Sequence, residues 1–188
     1  MNSWREKRSV ANRYNITSGS YDEQYAQEQE AKYCAVQKVL NWSGDCGCGG
    51  VVLDVGCGSG LFFSCVADKV QSVVGVDISR NLLLKAKVRA KFFCNVHVVQ
   101  ADADFLPFKD SLFDVIFSFT VLQNMPIPKK TLCEFKRHIT TGGKLVVTGL
   151  KKVFGLTVFL DLFETNELRL LEFIDDSDLK CYIALVAC

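Results

Sequence analysis

Two groups of residues could do chemistry. The first is the run Leu53-Asp54-Val55-Gly56-Cys57-Gly58-Ser59-Gly60, where glycines alternate with small side chains behind an acid. Glycine lets a backbone bend sharply and approach a ligand that a Cβ would hold off. Taken alone, such a run also fits a purely structural turn. The second is Asp77, roughly 20 residues beyond Asp54 and at the end of the apolar run Ser72-Val73-Val74-Gly75-Val76. A carboxylate at that offset can accept both hydroxyls of a ribose, as adenosine-type cofactors require. Its alternative role is to cap a helix beginning near Ser79. A dinucleotide site would read GxGxxG; here the third glycine comes one residue early, and that reading is disfavoured.

These residues need elements to position them. Val51 to Val55 is a continuous apolar run, as in a strand buried on both faces. Residues 61–69 read as helix, 72–76 as strand, 79–91 as helix with Ser79 as N-cap, 95–100 and 113–119 as strands, and 129–139 as helix. Thr141-Gly142-Gly143 is expected to turn into a fifth strand over 144–148. The tail reads as a helix over 154–167, then strands over 168–174 and 180–186 whose short connection forces an antiparallel hairpin. At the other end, a polar, tyrosine-bearing segment of residues 1–30 runs into a helix over 22–40 with Tyr25, Val36, Val39 and Leu40 as its stripe. The loop 43–50 stops that helix. The alternation predicts an α/β fold: a doubly wound, mainly parallel, seven-stranded sheet with an antiparallel C-terminal hairpin. Residues 1–42 form an N-terminal helical segment and 43–188 a single domain. The glycine loop and Asp77 then fall at carboxyl ends of neighbouring strands, where open α/β sheets bind ligands.

"LDVGCGSG" at 53–60, "GVDIS" at 75–79 and "QADADFLPFKDSLFDVIFS" at 100–118 resemble, in order and spacing, three motifs of the class I S-adenosylmethionine-dependent methyltransferases. The resemblance covers about residues 50–150 and looks most like the broad methyltransferase type 11 branch. It implies a Rossmann-like methyltransferase fold, S-adenosylmethionine as cofactor and methyl transfer as activity. Carried over by position, it implies that Gly56, Cys57, Gly58 and Gly60 line the methionine portion and that Asp54 orients the loop. Asp77 would hold the ribose and Ile78 would pack on adenine. Asp102, with Ala103 beside it, would accept from the adenine amine, Asp104 being the competitor for that role. Ser118 and Phe119 would border the sulfonium. The segment from Tyr14 to Asp22 resembles one that covers the cofactor, so Tyr21 joins the expected site, though its tyrosines could simply anchor the first helix. No Lys or Arg lies between Asp54 and Cys65, which suits a positive sulfur. The Asn/Asp-Pro-Pro-aromatic motif of planar-nitrogen methylation is absent: the chain reads Ser118-Phe119-Thr120-Val121-Leu122-Gln123-Asn124. Gln123 and Asn124 are the catalytic candidates, with helix capping as their alternative.

Composition sets outer limits. The chain has 188 residues, 49% apolar and 23% charged, enough for one globular core. Its 22 basic and 21 acidic residues give a net charge of +1, which does not indicate nucleic-acid binding, although a structured RNA held with a partner stays possible. No stretch suits a membrane span or a secretory signal, so a cytoplasmic location without membrane attachment is expected. Nine cysteines and two histidines show no paired metal-ligand spacing; no metal is expected, and the thiols read as small apolar residues. His97 and His138 are poor general bases. A small activator subunit that adds a strand is a possible partner, with 96–99 or 117–119 as pairing segments, although ordinary core strands explain both. The rival function is a non-catalytic scaffold or regulatory binding protein on the same fold.

Overall fold

The computed structural model describes residues 3–40 and 50–188. The expected boundary between 42 and 43, and the glycine- and cysteine-bearing loop except Gly50, lie outside the described residues. The elements are α1 (Ser3–Thr17), α2 (Tyr21–Val39), β1 (Val51–Val55), α3 (Phe63–Val66), β2 (Ser72–Asp77), α4 (Arg80–Ala90), β3 (Val96–Gln100), β4 (Phe113–Ser118), α5 (Pro128–His138), β5 (Ile139–Leu150), α6 (Leu156–Glu164), β6 (Arg169–Ile174) and β7 (Cys181–Ala187). No helix among the described residues is long and apolar enough to cross a membrane.

The seven strands form one sheet in the order β3-β2-β1-β4-β5-β7-β6. The five from β3 to β5 are parallel; β7 inserts antiparallel between β5 and β6. The apolar runs are continuous because both faces are covered. In β1 and β4, Val52, Val115 and Phe117 pack into a layer with Phe62 and Phe63. Their neighbours Leu53, Val55 and Ile116 pack into the opposite layer with Leu132, Phe135 and Phe159. Strand order reverses between β1 and β4, and Val55 pairs with both Val76 and Ser118. The carboxyl ends of β1, β2 and β4 therefore meet at that reversal.

Within the N-terminal segment read as polar and helical, α1 buries Lys7 rather than an apolar stripe, so hydrophobic periodicity carries no trace of its bounds. Three expectations need correction. The expected helix over 61–69 contracts to Phe63–Val66 and a 3₁₀ turn over Ala67–Lys69. The turn at 141–143 is instead part of β5, a bulge in the register between Phe113–Ile139 and Val115–Lys144, with Gly142 at φ +81°. Finally, β4 is central, flanked by β1 and β5, so the segment around Phe117 cannot accept an added strand; β3, paired only with β2, is an edge.

Candidate active site

The chain leaves β1 through the glycine bend. Gly56 takes φ +74°, and a Cβ there would overlap Val121 Cγ2. Gly56 and Cys57 both donate their N–H to Val76 O, at 2.8 and 2.9 Å, which anchors the bend on β2. Gly58 lies under the Tyr21 ring: an added Cβ would sit 3.0 Å from the phenolic oxygen. Ser59 Oγ donates to Asp22 Oδ1 at 2.5 Å, and Arg89 bridges Asp22 Oδ2 and Ser59 O at 2.7 and 2.6 Å. The start of α2 is thereby tied to the glycine bend and α4. The Cys57 side chain packs in the core, and Gly60 closes on the Phe63 ring.

Asp77 links the bend to α4. Its Oδ2 accepts Gly58 N–H at 2.9 Å and its Oδ1 accepts Ser79 N–H at 2.7 Å. The helix cap belongs to Ser79, whose Oγ accepts Leu82 N–H at 3.3 Å. Each Asp77 oxygen therefore accepts a backbone N–H, and the carboxylate has acceptor capacity beyond these two bonds. Burial raises the Asp77 carboxyl above its ordinary range, against the pull of the N–H donors of Ser79, Gly58 and Ile78. Asp54, 2% exposed one residue before the strand end, is pushed up to about 8 by burial and then by the Asp77 charge.

Ala101, Asp102 and Ala103 form the next wall of the cleft. Of the two competing acids, Asp102 faces it. Asp104 is turned away and buried, accepting the Thr131 hydroxyl at 2.5 Å. Lys7 from α1 reaches both, at 2.8 and 2.9 Å from the Asp102 oxygens and 2.5 Å from Asp104 Oδ2.

Beyond β4, Phe119, Thr120 and Val121 complete the floor, while Ser118 is fully buried behind them. Thr120 sits at φ +63°, an uncommon backbone state for a β-branched residue. Its carbonyl accepts Gln123 Nε2 at 2.6 Å and Asn124 Nδ2 at 3.1 Å. Both catalytic candidates thus act as local caps. Asn124 also lines the cleft, tied to Arg13 at 2.8 Å; Gln123 does not line it. His97 is exposed on edge strand β3. His138 is fully buried, its ring nitrogens 3.0 Å from Lys109 O and 3.2 Å from Glu134 Oε1. Neither reaches the cleft.

The roof comes from α1 and α2. Tyr21 packs between Tyr14, edge-on, and Tyr25, tilted, with centroids 6.1 and 4.9 Å apart. Burial raises the Tyr21 phenol, which stays protonated. The open cleft, with the solvent space at its mouth counted in, spans ≈ 790 Å³. Within it the structure gathers Gly56, Asp77, Ile78, Asp102, Ala103, Phe119 and Tyr21 from the expected set. Sequence reasoning missed Lys7, Gln29 and Thr120, which are polar residues outside any motif; only the tyrosine spacing hinted at the roof.

Comparison with known proteins agrees with this geometry. A family described as "Methyltransferase domain" matches residues 53–147. The demethylmenaquinone methyltransferase of Tropheryma whipplei is 40% identical over 96 residues, which is 51% of this chain and 40% of that protein. The chain thus spans about two-fifths of the length of that relative. Among solved structures, an S-adenosylmethionine-dependent methyltransferase from Aquifex aeolicus superposes with TM-score 0.70 at 21% identity, covering 80% of this chain and 87% of the other. The putative methyltransferase solved in complex with the Haloferax volcanii Trm112 activator gives TM-score 0.75 at 16% identity, covering 93% and 96%. At these identities the shared property is the fold.

Proposed function

Since the chain belongs to the class I S-adenosylmethionine-dependent methyltransferase family, we propose that it binds S-adenosylmethionine in this cleft and passes the methyl group to an acceptor. One observation carries the reading: a bend admitting no Cβ at Gly56 and a half-buried carboxylate at Asp77, hydrogen-bonded to that bend, share the reversal of strand order.

The residues fit the cofactor. Asp77 accepts from the ribose hydroxyls, and Ile78 and Ala103 flank the adenine. Asp102 keeps acceptor capacity beside Lys7 for the adenine amine. The backbone of Gly56, Cys57 and Gly58 follows the methionine end, with Asp54 beneath as the counter-charge. Phe119 borders the sulfonium, and Tyr21 excludes water above it. The bound group supplies an electrophilic methyl on a positive sulfur. What remains for the protein is alignment of a nucleophile and exclusion of water. Residues 1–42 act as a cover for residues 43–188, held by Lys7 and the tyrosines. The compartment proposed is the cytoplasm, where buried thiols such as Cys57 and Cys181 stay reduced.

The direct test is native extract incubated with purified protein and cofactor carrying a labelled methyl. Label entering a small-molecule, RNA or protein fraction supports transfer and gives the acceptor class; none in any fraction contradicts it.

A strand-adding activator subunit is favoured by a separate observation. Edge strand β3 lies beside α4, whose Leu84 and Val88 are 53% and 58% exposed, and Phe92 in the turn just beyond the helix is 81% exposed. An unpaired edge next to an apolar stripe is a surface that a partner strand can cover.

A further inference from the structure

The roof helix α1 has two faces of opposite character. Inward, Lys7, Val10 and Tyr14 line the cleft. Outward, at 3.6 residues per turn, Arg5, Ser9 and Arg13 fall on one side of the helix with Arg8 and Asn12 beside them, and all five are exposed. The chain as a whole nearly balances its charge, at +1, yet α1 carries Arg5, Lys7, Arg8 and Arg13 against Glu6 alone. Lys7 is held by Asp102 and Asp104, but among the described residues no carboxylate pairs with Arg5, Arg8 or Arg13.

The basic surface continues onto α5. The Lys7 ammonium lies 5.4 Å from the Phe105 ring centroid and the Lys130 ammonium 4.1 Å from it, so α1 and the start of α5 meet there. Lys129 and Lys130 are exposed and also lack a carboxylate partner among the described residues. Towards the other end of α1, Arg13 reaches the cleft mouth. Its Nη2 donates to Asn124 Oδ1 at 2.8 Å, and its guanidinium lies 5.2 Å from the Tyr14 ring centroid. Asn124 and Tyr14 both line the cleft. The sense of the Asn124 amide is fixed, because Nδ2 donates to the Thr120 carbonyl at 3.1 Å and Arg13 can only donate. The remaining N–H groups of Arg13 have no acceptor among the described residues.

The length of this arginine face decides what can neutralise it. Arg5 and Arg13 are ~12 Å apart along the helix axis, too far for one carboxylate or phosphate, so the partner carries repeated negative charge. Arg, Ser and Asn are side chains that hold phosphate oxygens. A bilayer is the poorer fit: an interfacial helix enters lipid by an apolar face, whereas the exposed apolar residues of α1, Trp4 and Ile16, stand at its two ends. The cleft beside this face has flat walls in Tyr14, Tyr25 and Phe119, of the kind on which an unstacked base lies.

We propose that the outer face of α1 and the start of α5 dock the backbone of a single-stranded nucleic acid, and that Arg13 grips the phosphate beside a nucleotide whose base enters the cleft. The acceptor class this gives rests on the methyltransferase reading; the docking itself does not.

The test uses the full chain saturated with S-adenosylhomocysteine, whose binding is measured first by calorimetry. Fluorescence anisotropy then follows a labelled single-stranded RNA of mixed sequence and a DNA of the same sequence, and co-sedimentation with phosphatidylserine vesicles covers the membrane alternative. Expected is binding of either strand or both, the pair telling which sugar is preferred. Affinity should fall about 20-fold between about 50 and about 200 mM salt, as three phosphate contacts at a slope of about −0.7 each require. The double variant Arg5→Gln with Arg13→Gln should bind about 10-fold more weakly and reduce the salt loss to about 3-fold. Lys109→Gln, exposed before the amino end of β4 at the opposite end of the sheet, should change neither. Melting curves establish that the variants fold. No binding of either strand, binding that salt or the double variant leaves unchanged, or sedimentation with vesicles alone overturns the proposal. Failure to bind S-adenosylhomocysteine overturns the underlying reading instead, and the strand titration, repeated without it, still decides the docking.

Discussion

The Lys7 ammonium lies 2.8 Å from Oδ1 and 2.9 Å from Oδ2 of Asp102, a contact spanning 95 positions of sequence. With Asp104 2.5 Å away, the three side chains make a buried ionic cluster that fastens α1 across the cleft. Asn15 reinforces it from the other end of α1, accepting the Ser79 hydroxyl at 2.7 Å.

Because α1 has little apolar burial, that cluster dominates its attachment. Removing one partner of a buried ion pair costs roughly 3–5 kcal/mol. Lys7→Met should therefore release α1 locally: its amides lose hydrogen-exchange protection while those of β1, β2 and β4 keep theirs. Unchanged protection of α1 would show that the cluster does not hold the cover.

Asp77→Ala should weaken S-adenosylmethionine by about 1–3 kcal/mol, the cost of a lost buried acceptor. The fold should survive, because Ser79 rather than Asp77 caps α4. Calorimetric titration beside a melting curve separates the two effects, and an unchanged affinity contradicts the role of Asp77.

At Gly56 two costs add. The left-handed backbone disfavours any side chain by roughly 1–2 kcal/mol, and the new Cβ overlaps Val121 Cγ2. Gly56→Ala should lower the melting temperature and abolish cofactor binding. Adding Val121→Ala should recover part of the stability, since it relieves the overlap and leaves the backbone cost. Urea unfolding of the single and double variants measures the recovery.

Asp54 carries a pH signature. Its carboxyl, ordinarily near 3.8, is pushed up to about 8 in the folded chain. Between those values the native state holds more protons than the unfolded state, so this group's contribution to stability falls as pH rises, by up to about 1.4 kcal/mol per unit. Asp54→Asn should flatten denaturation midpoints across pH 5 to 8. A positive cofactor beside Asp54 favours its ionised form, so affinity in the wild type should rise with pH over the same window and the rise should vanish in the variant.

The strands and the strand-to-helix bends were readable because burial on both faces leaves continuous apolar runs such as Val51–Val55, and because Gly56 and Asp77 stand at their ends. Ser79 was readable as a cap from its residue type alone. The roof was not. Lys7 meets Asp102, and Gln29 meets Thr120, through contacts spanning 95 and 91 positions, made by polar groups without periodicity. The choice between Asp102 and Asp104 likewise depended on Thr131, which only the packed α5 brings near. Gln123 and Asn124 were ambiguous because one sequence pattern serves both a cap and a cleft; the Thr120 carbonyl shows the capping half of that ambiguity.

The edge-strand reading makes its own forecast. With Haloferax volcanii Trm112 as the probe partner, amides of β3 should gain exchange protection while those of β6 do not. Phe92→Asp should remove the gain. Protection of neither edge speaks against a partner at β3.

Isothermal titration of the purified chain with S-adenosylhomocysteine and, separately, with NAD tests the central claim most directly. A single saturable site for the first and no heat from the second is the predicted result. No binding of S-adenosylhomocysteine by folded protein, or equal binding of NAD, would contradict the account.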